Sequence, residues 1–355
     1  MDIFANRHRG RTFEGLPQHI PTPSINVEAV RQLLTNCPAH SPTPLIDANG
    51  LAQSAGISAL HVKDERERMG LGSFKALGAA YVIACEAAAS GKEELAKALD
   101  GKTFVTASAG NHGMSVAAGA KVFGATAVVY LSRTVPASFA AKLKAKGATV
   151  VIEGADYEAS MEAAQNAATN NGWFLLSDSS WDGYTKPTHR LMEGYLQMAD
   201  EAFEALLEPP THIMLQAGVG GLAGAVAALA RKRYGEAPTI IVVEPDAAPA
   251  LIESVKAGEP KVTIGPVSNM GRLDCKEPSL IALKGLARDA DYFVTVSDDQ
   301  AEAALTALEE VGLATTPSGG AGIATLLAAT GADRAALGLN EASRVLCFLS
   351  EEAAQ

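Results

Sequence analysis

Three short segments carry residue types that could do chemistry. The first is Gly72-Ser73-Phe74-Lys75, which follows the charged run Val62-Lys63-Asp64-Glu65 and leads into an Ala-rich stretch from Ala76. A lysine at a helix start is ordinarily solvated. Here Phe74 and the apolar helix would cover part of its stem, and burial lowers an amine's pKa, which suits imine chemistry. The second segment is Thr106-Ala107-Ser108-Ala109-Gly110-Asn111-His112-Gly113. Its small side chains let backbone N–H groups approach an anion, and the dipole of a following helix favours negative charge. An ordinary strand-to-helix turn would have the same composition. The third is Gln216-Ala217-Gly218-Val219-Gly220-Gly221-Leu222-Ala223-Gly224, a glycine-rich loop able to wrap a phosphate. It fits neither the nucleotide P-loop nor the G-x-G-x-x-G fingerprint. Glu244 does end the next β-branched run, so a dinucleotide site is the rival reading. The histidines have no metal-binding spacing and no Gly-x-Ser-x-Gly elbow occurs, so His112 is expected to serve through its backbone.

These segments need strands and helices to bring them together. Strands are expected at Thr103–Thr106, Thr126–Leu131, Thr149–Ile152, Trp173–Leu176, His212–Gln216, Thr239–Glu244, Tyr292–Val296 and Arg344–Phe348. Helices are expected at Val27–Asn36, Gly113–Phe123, Ala137–Lys146, Tyr157–Asn170, Gly221–Tyr234 and Asp298–Val311, where helix formers recur over helical lengths. Alternating strand and helix implies an α/β fold with parallel sheets and right-handed crossovers. The nearly all-apolar strands should be covered on both faces.

The bulk properties narrow the partners. The chain has 355 residues, 48% apolar and 19% charged, enough for two interlocked domains. A formal net charge of -11 argues against nucleic acid or an anionic membrane surface. No signal-peptide core or membrane-length apolar run is seen. Cys37, Cys85, Cys275 and Cys347 form no C-x-x-C pair, and read as free thiols of a cytoplasmic protein.

Taken together and in order, the three motifs resemble the fold-type II pyridoxal-phosphate (PLP) enzymes, the tryptophan synthase β-like superfamily, over roughly Thr43 to Ser350. The branch most resembled is diaminopropionate ammonia-lyase. Beyond the first and third motifs, Asp178-Ser179-Ser180-Trp181-Asp182-Gly183-Tyr184 is its most discriminating stretch, and Asn269-Met270-Gly271-Arg272-Leu273-Asp274-Cys275 is similar in style. The resemblance implies two three-layer αβα domains, a large one at residues 1–81 and 189–355 and a smaller inserted one at 82–188, in a homodimer. It implies that Lys75 forms an imine with pyridoxal 5'-phosphate and then carries protons. Asn111 would meet the phenolic oxygen, while Gly218, Val219, Gly220, Gly221 and Leu222 hold the phosphate. Ser350 would place a neutral hydroxyl at the pyridine nitrogen. Ser108, Ala109, Gly110 and His112 would belong to the cradle of the substrate carboxylate. Asp178 would contact a β-amino group or assist proton transfer. The implied reaction is β-elimination from a small amino acid, most nearly 2,3-diaminopropionate, giving pyruvate and ammonia.

Two departures from that pattern matter. The family branch carries an aspartate where this chain has Ala109, and alanine cannot move a proton, so the L-form of the substrate is expected. The change also admits a serine, threonine or hydroxyaspartate dehydratase. After Glu244-Pro245, a carboxylate metal ligand of the racemase-like members is replaced by Ala250, so no required metal is expected. A non-catalytic ligand-binding regulator on the same scaffold is the alternative from another class.

Overall fold

The computed structural model describes residues 1–37 and 39–353. Its strands are β1 (Ile3–Ala5), β2 (Leu45–Asp47), β3 (Ala59–Asp64), β4 (Thr103–Ala107), β5 (Thr126–Leu131), β6 (Thr149–Ile152), β7 (Phe174–Leu175), β8 (His212–Gln216), β9 (Thr239–Pro245), β10 (Tyr292–Val296) and β11 (Arg344–Leu349). They form two sheets. The larger has the order β1-β10-β9-β8-β11-β3-β2, and the smaller β6-β5-β4-β7. The smaller sheet is wholly parallel; in the larger, only the edge strands β1 and β2 run antiparallel to their neighbours.

Side-chain alternation explains why both sheets are sandwiched between helices. Ile213, Leu215, Ile240, Val242, Phe293, Leu346 and Phe348 enter one core. Their neighbours Met214, Ile241, Val243, Val294, Val345, Cys347 and Leu349 enter another on the opposite face. Because successive residues of a strand point to opposite faces, a strand apolar throughout must be covered twice. The small sheet repeats the pattern, with Phe104, Val129 and Leu131 on one face and Val105, Val128 and Tyr130 on the other. The first of these cores is shared between the sheets. It runs through the helix Lys75–Ala89, which packs on Asn111–Val122 and Lys186–Gly194. Residues 82 and 188, the expected domain limits, lie inside two of these helices.

The eight expected strands all form, with Trp173 and Leu176 left outside β7. Three strands were not expected. β1 and β2 are three-residue edges with too little pattern to read. β3 contains Lys63 and Asp64, both buried, which no apolar pattern announces. No helix among the described residues is long and apolar enough to cross a membrane.

Candidate active site

Buried charge fixes the approach to Lys75. The Arg68 guanidinium, fully buried, donates to both oxygens of Glu65 at 2.7 Å and to Glu201 at 2.7 and 3.0 Å. Lys63 donates to Glu201 and to the Thr43 carbonyl, each at 2.6 Å. Charged groups this deep are tolerable only when paired and hydrogen-bonded throughout. Their mutual satisfaction anchors a turn in which Met69 has φ 52°, the only non-glycine residue described with positive φ. After it, Ser73 bridges Glu351, and the Phe74 N–H donates to the Ser350 carbonyl at 3.1 Å. Lys75 therefore starts its helix beside the carboxyl end of β11, with Ser350 buried next to it.

The Lys75 Nζ donates to Asp178 Oδ2 at 2.6 Å, and both side chains keep 21% exposure. This corrects the expectation that burial would lower the amine. Burial does disfavour the ammonium, but the Asp178 carboxylate outweighs it, and Lys75 is held above its ordinary pKa. Burial likewise opposes the Asp178 carboxylate, yet the Lys75 ammonium holds it well below the usual range.

Asp178 is placed by the Trp-Asp-Gly-Tyr segment that follows it. The Tyr184 hydroxyl donates to the Leu175 carbonyl at 2.8 Å and accepts the Ser177 N–H at 3.0 Å. Trp181 stacks on Tyr184 with centroids 4.3 Å apart, and Thr188 donates to the Ser179 carbonyl at 2.8 Å. One phenol thus clamps the backbone just ahead of the carboxylate.

The second motif opens the helix Asn111–Val122 across the cleft. Ser108 Oγ accepts the N–H groups of Gly110 (3.2 Å) and Gly113 (3.1 Å), shaping the turn. Buried His112 has its Nε2 2.8 Å from the Leu176 carbonyl. A carbonyl can only accept, so the proton sits on Nε2 and Nδ1 is left as a buried acceptor with no partner among the described residues. Burial lowers the His112 pKa, consistent with a neutral ring. Asn111 donates through its amide to Glu351, which also accepts from Thr316. Arg272 donates to the Ala109 carbonyl at 3.0 Å and stands 3.7 Å from Glu351. Neither Arg272 nor Glu351 had been assigned a role from sequence.

The glycine loop lies between β8 and the helix Gly221–Tyr234. Gly220 has φ +96°, a left-handed conformation that disfavours side chains. A Cβ on Gly218 would come within 2.9 Å of Cys275 Sγ and 3.1 Å of the Arg272 carbonyl. No described residue's carbonyl accepts the N–H groups of residues 218–222 outside regular helix and strand pairing. Lys75 and this loop border one side chain, Tyr195. The Lys75 Nζ is 6.0 Å from its ring centroid, and a Cβ on Gly221 would be 3.4 Å from its Cε2. A basic amine and a run of backbone N–H groups without carbonyl partners thus flank the same phenol, which fits pyridoxal phosphate.

Among the described residues, no three His, Cys, Asp or Glu side chains converge as a metal site. The Glu244 oxygens accept the Leu251 and Ile252 N–H groups at 2.8 Å, and Ala250 is buried at the start of that helix.

A model of the pyridoxal-phosphate-dependent enzymes matches residues 37–351. The chain belongs to that family. Diaminopropionate ammonia-lyase of Salmonella typhimurium is 35% identical over 269 residues, covering 70% of this chain and 67% of that protein. Human L-serine dehydratase/L-threonine deaminase is 30% identical over 279 residues, covering 77% and 78%. The crystal structure of Escherichia coli diaminopropionate ammonia-lyase in complex with D-serine superposes with a TM-score of 0.89 at 29% identity, covering 99% of this chain and 93% of that one. The cofactor is pyridoxal 5'-phosphate, the fold is tryptophan synthase β-like, and the chain is an ammonia-lyase acting on an amino acid.

Proposed function

We propose that this enzyme removes the β-amino group of 2,3-diaminopropionate, preferring the L-form, and yields pyruvate and ammonia. One observation carries the choice of substrate: a carboxylate, Asp178, is held ionised 2.6 Å from the reacting lysine, where a cationic β-substituent can replace the ammonium. Relatives of that activity support it.

Pyridoxal phosphate supplies a covalent hold on an amino group and a sink for electrons. The remaining work falls to the protein. Lys75 would hold the cofactor covalently, and its amine would serve as the base for the α-proton. The backbone N–H groups of Gly218, Val219, Gly220, Gly221 and Leu222 hold the phosphate. Asn111, with one amide N–H given to Glu351, has a second to offer the phenolic oxygen. Ser350 gives the pyridine nitrogen a neutral neighbour. The turn of Ser108, Ala109, Gly110 and His112 receives the substrate carboxylate on backbone donors. Residues 82–188 would act as the smaller domain and close over the site. The assembly is taken as a cytoplasmic homodimer that requires no metal.

A second reading, an L-serine or L-threonine dehydratase, is favoured by Ala109, which puts no ionisable group at that position, and by the human relative. The test is a spectrum of the purified protein before and after L-2,3-diaminopropionate, with pyruvate and 2-oxobutyrate measured over a panel of L- and D-amino acids. The expected result is a visible band, absent in Lys75→Ala, and pyruvate formed fastest from the L-diamine with chelator present. Faster turnover of serine or threonine would establish the second reading, and equal rates on both enantiomers would remove the stereochemical part.

A further inference from the structure

Tyr195 is a buried polar side chain of the site that the proposed roles leave unused. It is 1% exposed, and its hydroxyl is buried without a partner among the described residues. Burying a hydroxyl unpaired is unfavourable, so one kept at the edge of a ligand cleft points to a partner supplied by the ligand.

The ring's surroundings say which ligand atom that is. A Cβ on Gly78 would fall 2.6 Å from Tyr195 Cε1, and one on Gly221 3.4 Å from Cε2. Two glycines therefore make room for the ring, one at each carbon beside the C–OH. The hydroxyl projects past both, between the first turn of the helix Lys75–Ala89 and the first residue of the helix Gly221–Tyr234. The start of the helix Gly221–Tyr234 brings N–H groups with no carbonyl partner among the described residues, and positive potential, to that gap. The Lys75 ammonium lies 6.0 Å from the ring centroid and 5.3 Å from that of Phe74, which packs on Tyr195 at 4.9 Å. The phenol also feels the Asp178 carboxylate beyond that ammonium, but the N–H groups of residues 218–222 lack carbonyl partners among the described residues as well, so the partner missing from this gap is an acceptor. Burial raises the phenol's pKa, which keeps its proton available to give.

We propose that Tyr195 is a further cofactor-holding residue, whose hydroxyl donates to a phosphate oxygen of the ligand seated on Gly218–Leu222. The inference rests on that loop being the phosphate site. Nothing in the sequence marks the residue, because Gly194-Tyr195 after the amphipathic stretch Lys186–Glu193 reads as an ordinary core tyrosine.

The experiment compares the full chain with Tyr195→Phe, each stripped of cofactor and titrated with pyridoxal 5'-phosphate and with pyridoxal, following the visible band of the lysine-bound ligand. The variant keeps the ring and its packing. Thermal unfolding of both cofactor-free proteins checks that it folds, with a midpoint expected at or above the parent's. The expected result is a loss of about ten- to a hundredfold in affinity for the phosphorylated ligand, the range for a hydrogen bond to a charged group. Pyridoxal affinity should stay within about twofold, and inorganic phosphate should compete less well in the variant. Equal loss for both ligands would place the hydroxyl on Lys75 instead and overturn the proposal, as would no loss for either. If the parent itself failed to discriminate the two ligands, the phosphate site at Gly218–Leu222 would fall as well.

Discussion

With a carboxylate 2.6 Å from its amine, Lys75 rests as an ammonium, so any aldehyde that bonds to it must displace a proton. Attachment is therefore favoured by rising pH. Replacing Asp178 by Asn removes the charge that raises the amine's pKa, so the pH at half-attachment should move down. Titrating the visible band in both proteins reads this directly, and an upward move would contradict the electrostatic account. The same variant should lose about 10²- to 10⁴-fold in turnover of L-2,3-diaminopropionate, the range of a positioned proton-transfer or charge-binding group. At this scale the sequence was legible where function is written in contiguous residues. Lys75, Asn111 and the glycine loop each sit in a segment whose neighbours announce a turn into a helix. Asp178 was read from the Trp-Asp-Gly-Tyr segment behind it, and the Tyr184 clamp explains that association. Arg272 lies within the Asn269–Cys275 stretch and Glu351 adjoins Ser350, but neither segment announces what those two side chains meet, and Tyr195 has no such neighbours. They reach the site only through pairings between remote segments, such as Ser73 with Glu351 and Gly78 with Tyr195.

Among the elements, β3 and the turn after it show what alternation cannot reveal. A strand carrying Lys63 and Asp64 looks like surface, yet Lys63 lies under Thr43 and Glu201, and Arg68 joins Glu65 and Glu201 beneath the turn. Pairing makes this burial possible, and pairing across more than a hundred residues leaves no local trace. Arg68→Met would leave Glu65 and Glu201 short of positive charge. It should destabilise the protein by about 3–5 kcal/mol, the range for breaking a buried ion pair. Urea unfolding measures it, and a change under about 1 kcal/mol, as for an exposed pair, would show the network to be solvated. Strands β4, β5, β8, β9, β10 and β11 were legible because each is a largely apolar run buried on both faces.

For the molecule as a whole, one buried acid gives stability a pH dependence of known sign. Burial raises Glu244 to about 8 from 4.5, despite the two backbone N–H groups it accepts. The folded state then holds a proton that the unfolded state releases. This group's contribution is full below about pH 4.5 and is lost as pH rises through about 8. Glu244→Gln should flatten the fall of urea midpoints across that window relative to the parent; parallel curves would mean that Glu244 does not titrate there. A different consequence follows from the place of β11. It follows both β3 and β8 in the chain, yet it is inserted between them in the middle of the large sheet. While the chain is emerging from the ribosome, β8 and β3 each present an unpaired edge with nothing to close it, whereas the four strands of the small sheet are contiguous and can pair early. The nascent enzyme thus passes through a stage with two open sheet edges, the form most prone to stick to its neighbours.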